Sequence, residues 1–256
     1  MFAVDGLAQD DDGIRAHMTT GPWMSRPGDA GSIGILADNV LGYALIASAP
    51  GELYSVSTEI SLDFLRPLPR DGTRLSAVGR IVHTGAAAGL AEGSIVDQRD
   101  RLIARCRQWG RFVDLRQGSA SSGNGAVAAA SERDRLPAAG EHIGALREAV
   151  TASEGRAKLE LRADDDLMNP IGTLHGGVTL WVTGLVASAA VSSLTTTLVP
   201  ASMTVSYLRP FLRGDLATFH ADVVSCGRSL ALTRVTGSNQ AGKPCTVARV
   251  QHHNPH

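Results

Sequence analysis

The sequence predicts an α+β chain built from two copies of one module, each a curved antiparallel sheet wrapped around a long helix. Three observations carry that expectation. Ser61-Leu62-Asp63-Phe64-Leu65-Arg66-Pro67-Leu68 reads as a strand running into a turn, and Thr204-Val205-Ser206-Tyr207-Leu208-Arg209-Pro210-Phe211 matches it in character at every position. An apolar helical segment precedes each copy of this stretch, Ile33 to Ala47 in the first and Val178 to Val191 in the second. Short β-branched runs separated by turn residues follow each copy, as antiparallel strands do.

Taken in order, the first copy opens with a strand over Ile14 to Met24 and continues through its helix and the Ser61 strand. The runs Thr73 to Thr84, Gly89 to Asp97 and Arg101 to Val113 complete it. Gln117 to Gly140 is rich in small residues and lacks sustained apolar periodicity, so it reads as a linker. The second copy repeats the series with Arg156 to Asp164, its helix, the Thr204 strand, Ala217 to Cys226, Ser229 to Ser238 and Pro244 to His252. Even the turns correspond, Asp97-Gln-Arg-Asp100 standing where Asn239-Gln-Ala-Gly242 stands. The expected boundaries are 1–116, 117–140 and 141–256. Both helices are apolar nearly all round, which suits a helix that a sheet covers on most sides.

Composition excludes several classes of function. With 24 basic against 25 acidic residues and 4% aromatics, the charge and stacking footprint of a nucleic-acid binder is missing. Cys106, Cys226 and Cys245 have no metal-ligand spacing and cannot all pair, so they read as small buried hydrophobes of a reducing compartment. The N-terminus lacks the basic start and long apolar run of a secretory signal, and a cytoplasmic protein is expected. No charged residue occurs between Asp166 and Arg209, but Pro170, Gly176-Gly177 and Pro200 break that run, so a core helix and a strand are expected instead of a membrane span. His252, His253 and His256 cluster at the C-terminus, where a disordered tail is expected and a metal site is not. There is no Gly-x-Ser-x-Gly elbow and no phosphate-binding glycine fingerprint.

Asn169-x-x-Gly172-x-x-His175-Gly176-Gly177, followed by an apolar helix, resembles the motif of hotdog-fold acyl-CoA thioesterases, specifically the phenylacetate-pathway type. The resemblance implies two tandem hotdog domains packed as an intramolecular pseudo-dimer, acting on acyl-CoA. Such proteins carry an acid on the helix that follows the motif, at a position that is Gly184 here. Superposing the copies through their helices sets Gly184 against Asp38, His175 against Asp29, Gly176 against Ala30 and Asn169 against Trp23. In that family each site takes its glycine turn from one partner and its acid from the other. The resemblance therefore implies one complete site, with the acid from the first copy and the motif from the second, and a decayed symmetry mate.

Asp38, inside Ile35-Leu36-Ala37-Asp38-Asn39-Val40-Leu41, is the expected catalytic acid, because an ionised carboxylate is costly to bury without a purpose. It would activate water or attack the thioester carbonyl directly. Gly176 N–H, at the start of the second helix, is the expected oxyanion donor. The resemblance implies that the Asn169 amide polarises the carbonyl or holds the water and that His175 shapes the turn. It also implies that the hydroxyl of Ser57 orients the water. Gly177 and Thr58 are the expected substrate contacts. Coenzyme A enters only as part of the substrate, with no metal or other cofactor, and a dimer or trimer of chains is expected. An enoyl-CoA hydratase or dehydratase and a non-catalytic acyl-CoA-binding protein are the competing readings.

Overall fold

The computed structural model describes residues 4–21, 24, 27–69, 72–115, 146 and 148–255. The expected linker, 117–140, and Trp23 lie outside them. The first half runs β1 (Val4–Asp10), β2 (Gly13–Thr19), a 3-10 turn (Pro27–Ser32), α1 (Ile33–Ser48), β3 (Tyr54–Phe64), β4 (Arg74–Thr84), β5 (Ala88–Val96) and β6 (Leu102–Val113). The second runs β7 (Thr151–Ser153), β8 (Arg156–Arg162), a short 3-10 turn (Asp165–Leu167), α2 (Gly176–Ser192), β9 (Val199–Tyr207), β10 (Leu216–Cys226), β11 (Leu230–Ser238) and β12 (Pro244–His253).

All twelve strands join one antiparallel sheet in the order β1-β2-β4-β5-β6-β3-β9-β12-β11-β10-β8-β7. The order is palindromic about the seam where β3 pairs with β9, with Ser61 opposite Thr204 and Leu62 opposite Met203. Ile60, Leu62, Met203 and Val205 are all buried on one face of that seam. Both helices lie on this face, α1 against β2 to β6 and α2 against β7 to β12. The alternation of β6 shows how sequence sets the face: Ala104, Cys106, Gln108, Gly110 and Phe112 point inward while Arg105, Arg107, Trp109 and Arg111 point out. Residues of both halves make up one contiguous apolar core.

The helices touch each other where glycines remove side chains. A Cβ on Gly177 would fall 2.4 Å from the Cα of Ile35 and 2.8 Å from the carbonyl oxygen of Gly34. On the other side, a Cβ on Gly31 would fall 3.1 Å from the oxygen of Leu180 and 3.2 Å from the Cα of Trp181. The two contacts are related by the same residue offset that sets Asp38 against Gly184. The matching turns agree as well. Asp97 accepts from the N–H groups of Arg99 and Arg101, and Asn239 accepts from those of Ala241 and Lys243. Asp100 and Gly242 then adopt positive φ, 56° and 71°.

Four expectations need correction. The first opening strand ends at Thr19, not Met24, because Thr20 turns its N–H and hydroxyl to the carbonyl of Thr73. Strands β1 and β7, at the two edges of the sheet, were not expected. His252 and His253 belong to β12, not to a tail, and His252 is buried. Cys106 and Cys245 are buried, whereas Cys226 is exposed.

Candidate active site

The apolar positions of α1 decide where its one acid goes. Ile33, Leu36, Ala37, Val40 and Leu41 are fully buried, so the helix sits deep between sheet and α2, and Asp38 is drawn down with it. Its carboxylate is only 11% exposed and meets the first turn of α2. There the N–H of Gly177, 139 residues away in sequence, donates to Asp38 Oδ2 over 2.8 Å. A backbone N–H at a helix start has no partner within its own helix, and the helix dipole there favours an anion.

Glycine is required at both positions of the turn. A Cβ on Gly176 would lie 2.8 Å from Asp38 Oδ2 and 3.2 Å from Cγ, inside the carboxylate's contact surface. The Gly176 carbonyl accepts the hydroxyl of Tyr207 over 2.8 Å, which pins the turn to the end of β9. Its N–H has no partner among the described residues. His175 Nδ1 stands 3.1 Å from Asp38 Oδ2 and 3.0 Å from the nitrogen of Gly177. Nδ1 accepts from the N–H of Gly177 and so caps the start of α2, and that one N–H is shared between the ring and Asp38 Oδ2.

The other carboxylate oxygen faces the sheet. Ser57 donates to Asp38 Oδ1 over 3.4 Å and accepts from Gln108 Nε2 over 2.9 Å. Because Gln108 supplies a donor, the serine proton is directed at Asp38, giving a one-way chain from Gln108 through Ser57 to the acid. Gln108 is 2% exposed and its Oε1 is buried without a hydrogen-bond partner. Two phenols lie in the field of the carboxylate. Burial, then the charge of Asp38, pushes Tyr207 well above the usual phenol range, and the same causes with Tyr43 raise Tyr54 to about 12.

The expected site residues separate into two groups. Asp38, Ser57, His175, Gly176 and Gly177 come together across the two halves. Gly177, however, does not face a substrate, since its N–H is spent on Asp38 and its Cα packs against α1. Thr58 is not in the site: β3 bulges between Ser57 and Glu59, and Thr58, the extra residue, is exposed and donates to the carbonyl of Trp109. Asn169 is engaged in its own turn, its Oδ1 accepting from Thr173 N–H and its Nδ2 donating to Thr173 Oγ1. It shapes the loop into α2 and has no hydrogen bond to the Asp38 cluster among the described residues. Gln108 and Tyr207 escaped the sequence reading. A polar residue in the inward set of an alternating strand was the available signal for Gln108.

At the symmetry-related place every polar member is replaced. Gly184 stands for Asp38, Pro200 for Ser57 and Val250 for Gln108, as the pairings of β9 with β12 and β3 with β6 show. The surrounding small residues Gly42 and Gly110 are matched by Ser188 and His252, which are hydrogen-bonded to each other over 3.2 Å.

Residues 30–104 match the model of the thioesterase superfamily, and residues 165–253 match that of the acyl-CoA thioesterase N-terminal domain. Human acyl-coenzyme A thioesterase 13 is 30% identical over 94 residues, covering 36% of this chain and 67% of that protein. A solved structure from Novosphingobium aromaticivorans superposes with a TM-score of 0.68 over 99% of both chains at 17% identity. Acyl-CoA thioesterase II TesB2 from Mycobacterium marinum gives 0.67 at 13% identity, over 98% of this chain and 95% of that one, a likeness of fold alone. The chain belongs to the hotdog-fold thioesterase superfamily.

Proposed function

We propose that the chain hydrolyses an acyl-CoA thioester to the free acid and coenzyme A at the Asp38 centre. We read it as a fused pair of hotdog domains of the phenylacetate-pathway type, 1–116 and 141–256, with one working site and one that has lost its acid. The observation that carries this reading is the 2.8 Å hydrogen bond from Gly177 N–H to Asp38, which joins the acid of one half to the glycine turn of the other. The matched residue offset at Gly31 and Gly177 and the palindromic sheet support the fused pair.

In the mechanism, both oxygens of Asp38 are oriented before substrate arrives, Oδ2 by Gly177 N–H and Oδ1 by Ser57. A water held beside Ser57 and Asp38 gives its proton to the carboxylate as its oxygen bonds to the thioester carbon. The carbonyl oxygen, gaining charge, turns to the free N–H of Gly176, where the α2 dipole adds to the hydrogen bond. Collapse of the tetrahedral intermediate breaks the carbon–sulfur bond, and the thiolate takes the proton that Asp38 received. General-base action suits a carboxylate already held by donors on both oxygens better than direct attack, which would strip those bonds away.

Asp38→Asn keeps the shape and an acceptor for Gly177 but removes the base. Thiol release from a panel of acyl-CoAs should fall at least about 1,000-fold while binding of a non-hydrolysable thioether analogue persists. Wild-type rates in that variant would end the proposal. A change in enoyl absorbance without thiol release would favour a hydratase instead, and binding with neither signal a non-catalytic acyl-CoA-binding protein.

A further inference from the structure

The outer face of the sheet, opposite the helices, treats charge differently in the two halves. Arg107 on β6 stands opposite Glu92 on β5 and has Glu59 within 3.4 Å. At the symmetry-related place on β12 and β11, Arg249 stands opposite Arg234. Cross-strand neighbours on one face are about 5 Å apart at Cβ, and like charges there are unfavourable. Among the described residues neither guanidinium has an ion-pair partner. Asp222 stands opposite both Arg234 and Arg156 and pairs with Arg156 at 3.6 Å, so the row holds one carboxylate among three arginines. A second acid has gone as well, since Ser206 holds the place of Asp63.

The two arginines border a groove of about 340 Å³. Its polar wall is Thr204 and Ser206, and its apolar floor is Val224, Leu232 and Val247. Val224 is 60% exposed and Val247 38% exposed, and both line the groove together with the two arginines. In the first half Arg105 occupies the position of Val247, whereas Val82 and Leu90 keep those of Val224 and Leu232, so the apolar floor is interrupted there at one of its three positions.

We propose that this groove binds an organic anion, a carboxylate or phosphate head on Arg234 and Arg249 with an alkyl body on Val224, Leu232 and Val247. The guanidinium forks can each take an oxyanion in bidentate fashion, and a bound anion removes the repulsion between them. The site is independent of the Asp38 centre, which lies on the other face of the sheet.

The test is calorimetric titration of the full-length protein with octanoate, octyl phosphate, inorganic phosphate and octanol. Octanoate or octyl phosphate should bind, with inorganic phosphate and octanol each at least tenfold weaker. The R234Q/R249Q variant should lose at least tenfold in affinity while its thioester hydrolysis is unchanged. Arg249→Glu sets an acid opposite Arg234, so it should raise the melting temperature of the free protein by about 1–3 °C and abolish stabilisation by the ligand. A role in folding alone would not couple those two effects. Binding that survives in R234Q/R249Q overturns the assignment, as does inorganic phosphate binding as tightly as octyl phosphate. So does a wild-type dimer that R249E converts to a monomer, which would make the groove a contact between copies.

Discussion

Gly176 and Asp38 stand so close that no side chain fits between them: a Cβ on the glycine would lie 2.8 Å from one carboxylate oxygen and 3.2 Å from the other. The glycine therefore does two things at once, leaving its N–H open and letting an acid from the other half reach the helix start. That closeness, not flexibility, is the reason for glycine here.

Gly176→Ala should displace the carboxylate and lower kcat/KM by about 100-fold, since a base moved by an ångström loses its alignment. Asp38 is a side chain and can give way, so the protein should still fold. Adding Asp38→Ala to Gly176→Ala should recover the lost melting temperature and none of the activity. A double variant no more stable than Gly176→Ala would count against the steric account. Gly177→Ala is different in kind, because its Cβ meets the backbone of Ile35 at 2.4 Å. Helices cannot yield as side chains do, and loss of folded protein on expression is expected.

Gln108→Leu removes the donor that directs the Ser57 proton to Asp38. A fall of about 10- to 100-fold in kcat with little change in KM is expected, because the chain acts on the base and not on ground-state binding. Ser57→Ala should do the same, and the double variant should be scarcely worse than either single one, as members of one network are not additive. Additive losses would show that the two side chains act separately.

Single turnover in ¹⁸O-labelled water distinguishes the two chemical roles of Asp38. General-base action delivers the label to the product acid in the first turnover and leaves the protein unlabelled. Direct attack would instead place the heavy oxygen in the Asp38 carboxylate, which mass spectrometry of the peptide containing it would detect.

His252 should make the fold sensitive to acid. Burial, and then the neighbouring His253, pushes its imidazole down to about 4, and its buried Nδ1 has no partner among the described residues. In the unfolded chain it titrates near 6.5, so between about 6.5 and 4 the unfolded state takes up a proton that the folded state refuses. This contribution is fully present above 6.5 and is lost as pH falls through that window, to a total of about 3 kcal/mol. Urea unfolding at pH 7.5, 5.5 and 4.5 should show His252→Gln losing less stability on acidification than wild type. Parallel pH profiles would refute it.

Much of this architecture could be read from the chain, and the parts that could not have specific causes. The last three strands of each half fall within a residue of expectation at either end, whereas β3 and β9 begin seven and five residues before the expected Ser61 and Thr204. β1 eluded the reading because six of its seven residues are exposed, which leaves no apolar alternation to detect. Asp38 was legible as a charge inside an apolar helix. Its neighbour Ser57 was harder, since counting back by twos from the buried Leu62 and Ile60 turns Thr58 inward. Only the bulge, an extra residue invisible to periodicity, exchanges the two. Asn169 fits the motif by position, yet Thr173, four residues on, claims both ends of its amide.

Covalent fusion of the halves changes what mutation can reach. In an assembly of identical subunits each substitution strikes both centres together, so a change that harms one harms its twin. Here the seam between β3 and β9 lies within a single polypeptide, and Gly184, Pro200 and Val250 could be accepted on one side without touching Asp38, Ser57 and Gln108 on the other. On the proposed function, the second site could thereby lose its acid while the second half went on supplying the glycine turn of the first.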